Sequence, residues 1–225
     1  MMRRENMAII KAENASIKEE LIHDGANILA VNISYPAFSG VPEGVVKKLN
    51  DFYTSMSVGY FDFCKKNHAV NTKRASEKSN TAIKCGAVMN WYQPYCNGRV
   101  MSVICDISFF DGNRKKTHRL VHNWDLADAT PCRASDFFDK SRFARRLYCE
   151  EIASKIENGD GNFSYFSDAA KIAVKLFDFD RFYFTPKGIA FYYEKNTLFA
   201  SDSAYPAFVI PFSEVEGLTK QCQNE

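Results

Sequence analysis

The chain has 225 residues, 29 basic and 27 acidic side chains, a net charge of +2 and 46% hydrophobic residues. That length and apolar content suffice for a full hydrophobic core and exclude disorder as the default state. So balanced a charge leaves no field strong enough to mark a nucleic-acid binder, and Lys65-Lys66, Arg114-Lys115-Lys116 and Arg145-Arg146 read as solvated faces.

At the amino terminus only four apolar residues precede Lys11, too few for a signal sequence, which needs about 7–15. No stretch approaches the ~20 apolar residues of a membrane span. Residues 1–19 are expected to form a loose or helical tail. From Asn27 to Tyr35 the residues alternate, with Leu29, Val31, Ile33 and Tyr35 on one face, as in a half-buried strand. Tyr35-Pro36-Ala37-Phe38-Ser39-Gly40 should break it. Pro42 then suits the first turn of a helix, with Val45, Leu49, Phe52, Met56, Tyr60 and Phe63 inward. Residues 67–80 read as a polar loop.

A β-meander follows: about Ala82 to Tyr95, Arg99 to Phe110 and Lys116 to Leu126. Asn97-Gly98 predicts a type I′ turn that pairs Cys96 with Arg99. On that register Met101, Val103, Cys105, Ile107 and Phe109 share the core face with Val88 and Tyr92. The opposite face carries Met89, Trp91 and Tyr95 beside Ser102, Ile104, Asp106 and Ser108. Aromatic rings among hydroxyls and a carboxylate suit a sugar or a protein hot spot.

A second helix should follow Asp139 and bury Phe143, Leu147, Tyr148, Ile152 and Ile156, stopping at Asn158-Gly159. A shorter one starts near Ser167-Asp168 and buries Ile172, Ala173, Leu176 and Phe177. Two aromatic segments, Arg181 to Phe184 and Ile189 to Tyr193, flank Thr185-Pro186-Lys187-Gly188 and read as a hairpin. Ala207 to Phe212 is a last short strand. The order of elements predicts an α+β fold of antiparallel meander sheets packed with two or three amphipathic helices, in two similar halves.

Seven cysteines, at 64, 85, 96, 105, 132, 149 and 222, show no C-x-x-C pair or zinc spacing and read as reduced thiols. Phe110-Asp111-Gly112 followed by His118-x-x-x-His122 invites a zinc reading. Four residues of strand, however, hold the histidines about 13 Å apart, far beyond ~2.0–2.1 Å zinc bonds. Asp178 and Asp180 read as a solvated loop. No nucleophile, phosphate-loop or dinucleotide motif is present, so neither metal nor cofactor is expected.

In order and spacing, several segments resemble the RsiV-like extracytoplasmic domain, which also precedes the catalytic domain of PdaC-type peptidoglycan deacetylases. These are Ile33 to Gly40, Val100 to Val103, Asn123-Trp124-Asp125-Leu126, Ala134-Ser135-Asp136-Phe137-Phe138 and Phe182 to Phe212, over roughly residues 20–215. The resemblance implies a tail at 1–19, a PdaC amino-terminal-like half at 20–112, an RsiV carboxy-terminal-like half at 113–215 and a tail at 216–225. It implies a non-catalytic binding or sensing module for a protein or a cell-wall glycan. Members often carry Gly-Gly-Ala-His-Gly after the second meander strand, where this chain has Asp111-Gly112-Asn113-Arg114-Lys115, so Arg114 stands in the histidine position. The ligand-binding candidates are Trp91, Tyr95, Asp106, Arg114 and Arg119. A hydrolase acting on glycan or peptide and a structural accessory oligomer are the alternatives. The free cysteines and missing leader point to the cytoplasm; a removed leader or anchor would place the chain outside.

Overall fold

A computed structural model describes residues 7–23, 26–70, 77, 85–111, 114–138, 140–159, 163–201 and 204–214. The fold is mixed α+β, with a six-stranded sheet in the order β1-β2-β3-β4-β5-β6 and a three-stranded sheet, β7-β8-β9. The strands are β1 Ile9–His23, β2 Ala26–Val41, β3 Cys85–Cys96, β4 Val100–Asp111, β5 Arg114–Asp125, β6 Thr130–Pro131, β7 Phe182–Thr185, β8 Gly188–Tyr192 and β9 Ala207–Pro211. The helices are α1 Glu43–Phe63, α2 Arg142–Glu157 and α3 Ala169–Leu176.

Two compact units interleave along the chain. Unit 1 holds residues 1–93, 103–120 and 126–130; unit 2 holds residues 94–102, 121–125 and 131–225.

In unit 1 the expected amino-terminal tail is instead a strand from Ile9 onward. β1 pairs antiparallel with β2 from Ile9↔Val41 to His23↔Ala26. Its Lys, Glu and Ala residues favour helix locally, but a sheet-edge position beside β2 overrides that preference. β2 itself runs on through Pro36 rather than stopping at Tyr35. Its register with β3 covers only Leu29↔Cys85 to Ile33↔Met89, so the missing Pro36 amide falls beyond that ladder and disturbs none of its hydrogen bonds. At Phe38, Asn50 of α1 acts as a substitute strand. Its Oδ1 accepts from the Phe38 amide at 2.7 Å and its Nδ2 donates to the Phe38 carbonyl at 2.9 Å.

α1 carries the chain between β2 and β3, and these two strands pair in parallel, as a helical crossover allows. Its buried stripe is Val45, Leu49, Tyr53 and Ser57. Phe52 and Phe63, expected inward, are 37% and 52% exposed; the stripe follows the i, i+4 row and leaves them at its flank. The predicted polar loop, 67–80, starts within π-helical turns at Cys64–Ala69 that continue α1; most of the rest lies outside the described residues.

The meander strands fall close to their predicted limits, but the turn is centred one residue later. The Asn97 amide donates to the Val100 carbonyl at 3.2 Å, and Gly98 takes φ +82°, so Gly98 and Arg99 are the central pair. The Asn97 side chain closes the turn by accepting from the Arg99 and Val100 amides.

In unit 2, α2 starts at Ser141, whose Oγ accepts from the Ala144 amide at 3.2 Å, and stops at Gly159 with φ +72°. It buries Ala144, Tyr148, Cys149, Ile152 and Ile156. Phe143, expected in the core, is 56% exposed, as is 48% of Leu176 on α3. The hairpin closes at Thr185↔Gly188, with the Gly188 amide donating to Thr185 Oγ1 at 3.1 Å. A Cβ on Gly188 would collide with the Ile210 carbonyl oxygen of β9, so the close approach of β8 and β9 demands glycine there. The core of this unit is aromatic: Phe137, Phe138, Tyr148, Phe177, Phe179, Phe182, Phe184 and Phe191 are all buried.

Candidate binding surfaces

The mixed face predicted on the meander is closed over along much of its length. Met89, Ser102 and Ile104 are fully buried and Tyr95 nearly so, whereas Tyr92, expected in the core, is 42% exposed. From Val100 to Cys105, β4 is buried on both faces, the pattern of an interior strand rather than of a half-open one.

Four sequence candidates, Trp91, Asp106, Arg114 and Arg119, lie in unit 1. Trp91 Nε1 donates to Asn14 Oδ1 of β1 at 2.9 Å, and Ser34 of β2 donates to the same oxygen. Arg119 makes a fork of two 2.8 Å bonds to the Asp106 carboxylate, and its guanidinium lies 5.7 Å from the Tyr92 ring centroid. With Arg119 only 9% exposed, this bidentate pair fixes β5 against β4. One step along the same face, the Ser108 and Thr117 hydroxyls meet at 3.1 Å. Tyr95 belongs to unit 2 and packs on Phe184 and Phe212 at 6.0 and 6.5 Å. Arg114 opens β5, but its side chain lies outside the described ones. The structure thus brings Asp106 and Arg119 together and leaves Tyr95 in a core.

Sequence reasoning missed a buried polar pair. In unit 2 the buried Ser102 hydroxyl donates to Asn123 Oδ1 at 2.6 Å and accepts from the Phe184 amide at 2.9 Å. Asn123 Nδ2 donates to the Phe182 carbonyl at 2.9 Å. Two side chains thereby satisfy backbone groups of β7 that would otherwise be buried unpaired. Both residues lie in segments that carry the family resemblance, so those motifs mark a structural tie.

His118 is exposed and His122 half-buried. Among the described residues no group of three or more histidine, cysteine, aspartate or glutamate side chains could hold a metal. Burial lowers the His122 pKa from 6.5 to about 4. Between those values the unfolded chain takes up a proton that the folded chain refuses, so acid favours unfolding. Stability should fall by up to about 3 kcal/mol as pH drops from 6.5 to 4, with no further loss from this group below that. His122→Gln should flatten the pH dependence of urea midpoints in this window, and an unchanged slope would contradict the assignment.

The six described cysteines are free; Cys222 lies outside the described residues. Burial, with Asp106 as a lesser cause, pushes Cys105 up to about 12, and burial also raises Cys64 and Cys149. These are inert thiols.

Concave surface occurs within each unit. Unit 1 has a trough of about 480 Å³ on the open sheet face, with Lys18, Glu20, Ala30, Asn32, Gly86 and Phe110 in its lining. Unit 2 has a cavity of about 310 Å³ beside α2 and β9. It also has a groove of about 440 Å³ between α2 and α3, lined by Arg142, Arg145, Arg146, Cys149, Glu150, Ala153 and Val174. The groove is the most apolar of the three. Arg145 holds its α3 wall in place, donating to the Val174 and Phe177 carbonyls at 3.0 and 2.8 Å with its guanidinium over the Phe177 ring. Those carbonyls end α3, where a cation is favoured. Phe143, under the Arg146 guanidinium at 5.5 Å, is exposed, as are Val174 in the lining and Leu176 on α3.

Together these features define a mixed α+β chain in two interleaved units, with a helix-walled groove on the second. No family model and no curated protein matches the sequence. Solved structures share its fold. A member of the DUF3298 family from Bacteroides fragilis superposes with a TM-score of 0.65 at 14% identity, over 95% of each chain. A DUF3298 family protein from Pseudomonas aeruginosa does so with a TM-score of 0.58 at 13% identity, over 94% of this chain and 96% of that one. DUF3298 is a family of unknown function, and at these identities the likeness is one of fold.

Proposed function

We propose that this chain is a non-catalytic recognition module of the RsiV-like kind, which binds a polypeptide partner at the groove between α2 and α3. The observation that carries the reading is the groove: about 440 Å³ of largely apolar concavity, rimmed by three arginines. Pockets of ~300–1,000 Å³ with apolar linings and a few placed polar groups are the usual form of a binding site. Arginine and aromatic side chains are the types enriched where protein partners dock. A polypeptide suits this surface better than a glycan, because the ring-and-hydroxyl face that would suit a sugar is closed over.

Val174 is 39% exposed, so Val174→Glu should leave the fold intact while placing a charge on the groove wall. A partner recovered from native extract, identified and purified, should bind the wild-type chain and lose at least tenfold in Kd against Val174→Glu. Equal affinity for both, with unchanged thermal unfolding, would remove the groove as the site.

A further inference from the structure

The groove has a direction. Along α2 its lining residues recur at spacings of three and four, from Arg142 through Arg145, Arg146, Cys149 and Glu150 to Ala153. That places them on one helical face over three turns, about 16 Å at ~1.5 Å per residue. The arginines occupy the amino-terminal end of this strip. Cys149, Glu150, Ala153 and Val174 form the remainder, apolar apart from Glu150, which turns to Arg146, and the short Ala153 side chain admits close approach.

The charges at the arginine end are poorly balanced among the described residues. Arg146 shares Glu150 at 3.4 Å, but both side chains are nearly two-thirds exposed, and such a pair neutralises little. Arg145 donates to carbonyls rather than to a carboxylate. Arg142 is exposed, and no ion pair joins it to a carboxylate among the described residues. One end of the groove therefore favours anions and the other end favours apolar side chains.

We infer that this groove holds a short α-helix of a partner protein, with an acidic first turn against Arg142, Arg145 and Arg146 and an apolar stripe over Cys149, Ala153 and Val174. A groove three turns long between two helices accepts a helix through anchors at i, i+3, i+4 and i+7. Carboxylates at a helix's first turn are stabilised by its own dipole and meet guanidinium groups in a forked geometry. The partner helix therefore runs parallel to α2. A membrane surface would also attract arginines beside exposed Phe143 and Leu176, but a bilayer offers no ridge to enter a concave groove. The inference rests on the reading of this groove as the recognition site, and the test separates the two.

Fluorescence anisotropy on the full chain would use three labelled 18-residue amphipathic helical peptides with the same leucine stripe. One carries glutamates in the first turn and lysines in the last, one has these charges exchanged, and one has glutamine at all of them. The first should bind at least tenfold more tightly than the second, with affinity falling as salt rises. Val174→Glu should abolish binding of all three, and the double variant Arg142→Glu/Arg146→Glu should reverse the preference between the first two. Binding that Val174→Glu abolishes, but with no preference between charge patterns and no reversal, would keep the groove as a site and overturn the acidic-helix assignment. No binding to the wild-type chain, or binding indifferent to Val174→Glu, would overturn both. Retention on vesicles of phosphatidylcholine and phosphatidylglycerol, with no peptide bound, would assign the patch to a lipid surface and overturn the inference.

Discussion

Asn123→Ala is expected to destabilise the protein by about 3 kcal/mol, a fall in Tm of roughly 6–12 °C for a chain of this size. The substitution deletes two short hydrogen bonds and leaves the Phe182 carbonyl and the Ser102 hydroxyl buried without them. Each such group costs about 1–3 kcal/mol when its partner is lost, and little water can replace the amide because Ser102 is fully buried and Asn123 is 7% exposed. Ser102→Ala should cost a similar amount, since the Phe184 amide loses its acceptor. The two effects should not add. Once either member is gone the other has lost its main partner, so the double variant should fall well short of the sum. Urea denaturation of the wild-type chain, the two single variants and the double variant measures this directly. Strict additivity, or single effects below about 0.5 kcal/mol, would show that the tie does not hold β7.

Phe138→Ala should cost still more, about 3–5 kcal/mol. Its ring centroid lies 4.9 Å from Phe182, 5.4 Å from Phe191, 5.8 Å from Phe179 and 5.9 Å from Tyr148. Removing a ring from the middle of such a cluster opens a cavity that its rigid neighbours cannot fill, and edge-to-face contacts are lost with it. Phe143→Ala offers the contrast. Its side chain is more than half exposed and meets Arg146, so the expected change is about 0.5 kcal/mol or less. Urea midpoints should therefore separate two phenylalanines five residues apart by several kcal/mol. Equal midpoints would place Phe143 in the core, as its helical spacing alone suggests.

That contrast marks where local pattern stops being informative. Period-3.6 spacing announces a helix but fixes its inward face only to within a residue or so. Phe52 and Phe143 are lost from the core by that margin, while Tyr53 and Ala144 are buried beside them. The meander was legible, and its turn to within one residue, because strand alternation and an Asn-Gly pair are local signals. The closing hairpin was legible for the same reason, its aromatic strands flanking Thr185-Pro186-Lys187-Gly188. β1 was not, because its lysines, glutamates and alanines carry no strand preference of their own and become a strand only beside β2.

By itself, then, the sequence determined the mixed α+β class, the order of most elements and the presence of an aromatic core, all of which follow from composition and short-range spacing. Tertiary structure alone decided what is buried and what is left open. Asp106 and Arg119 are thirteen residues apart, Ser102 and Phe184 eighty-two, and pairings at such separations depend on register, which no short window contains. The groove is of the same kind. Two of its arginines, Arg145 and Arg146, stood in the sequence as a basic run, but its second wall, Val174 on α3, comes from more than twenty residues further on, and only packing of α3 against α2 places the two together.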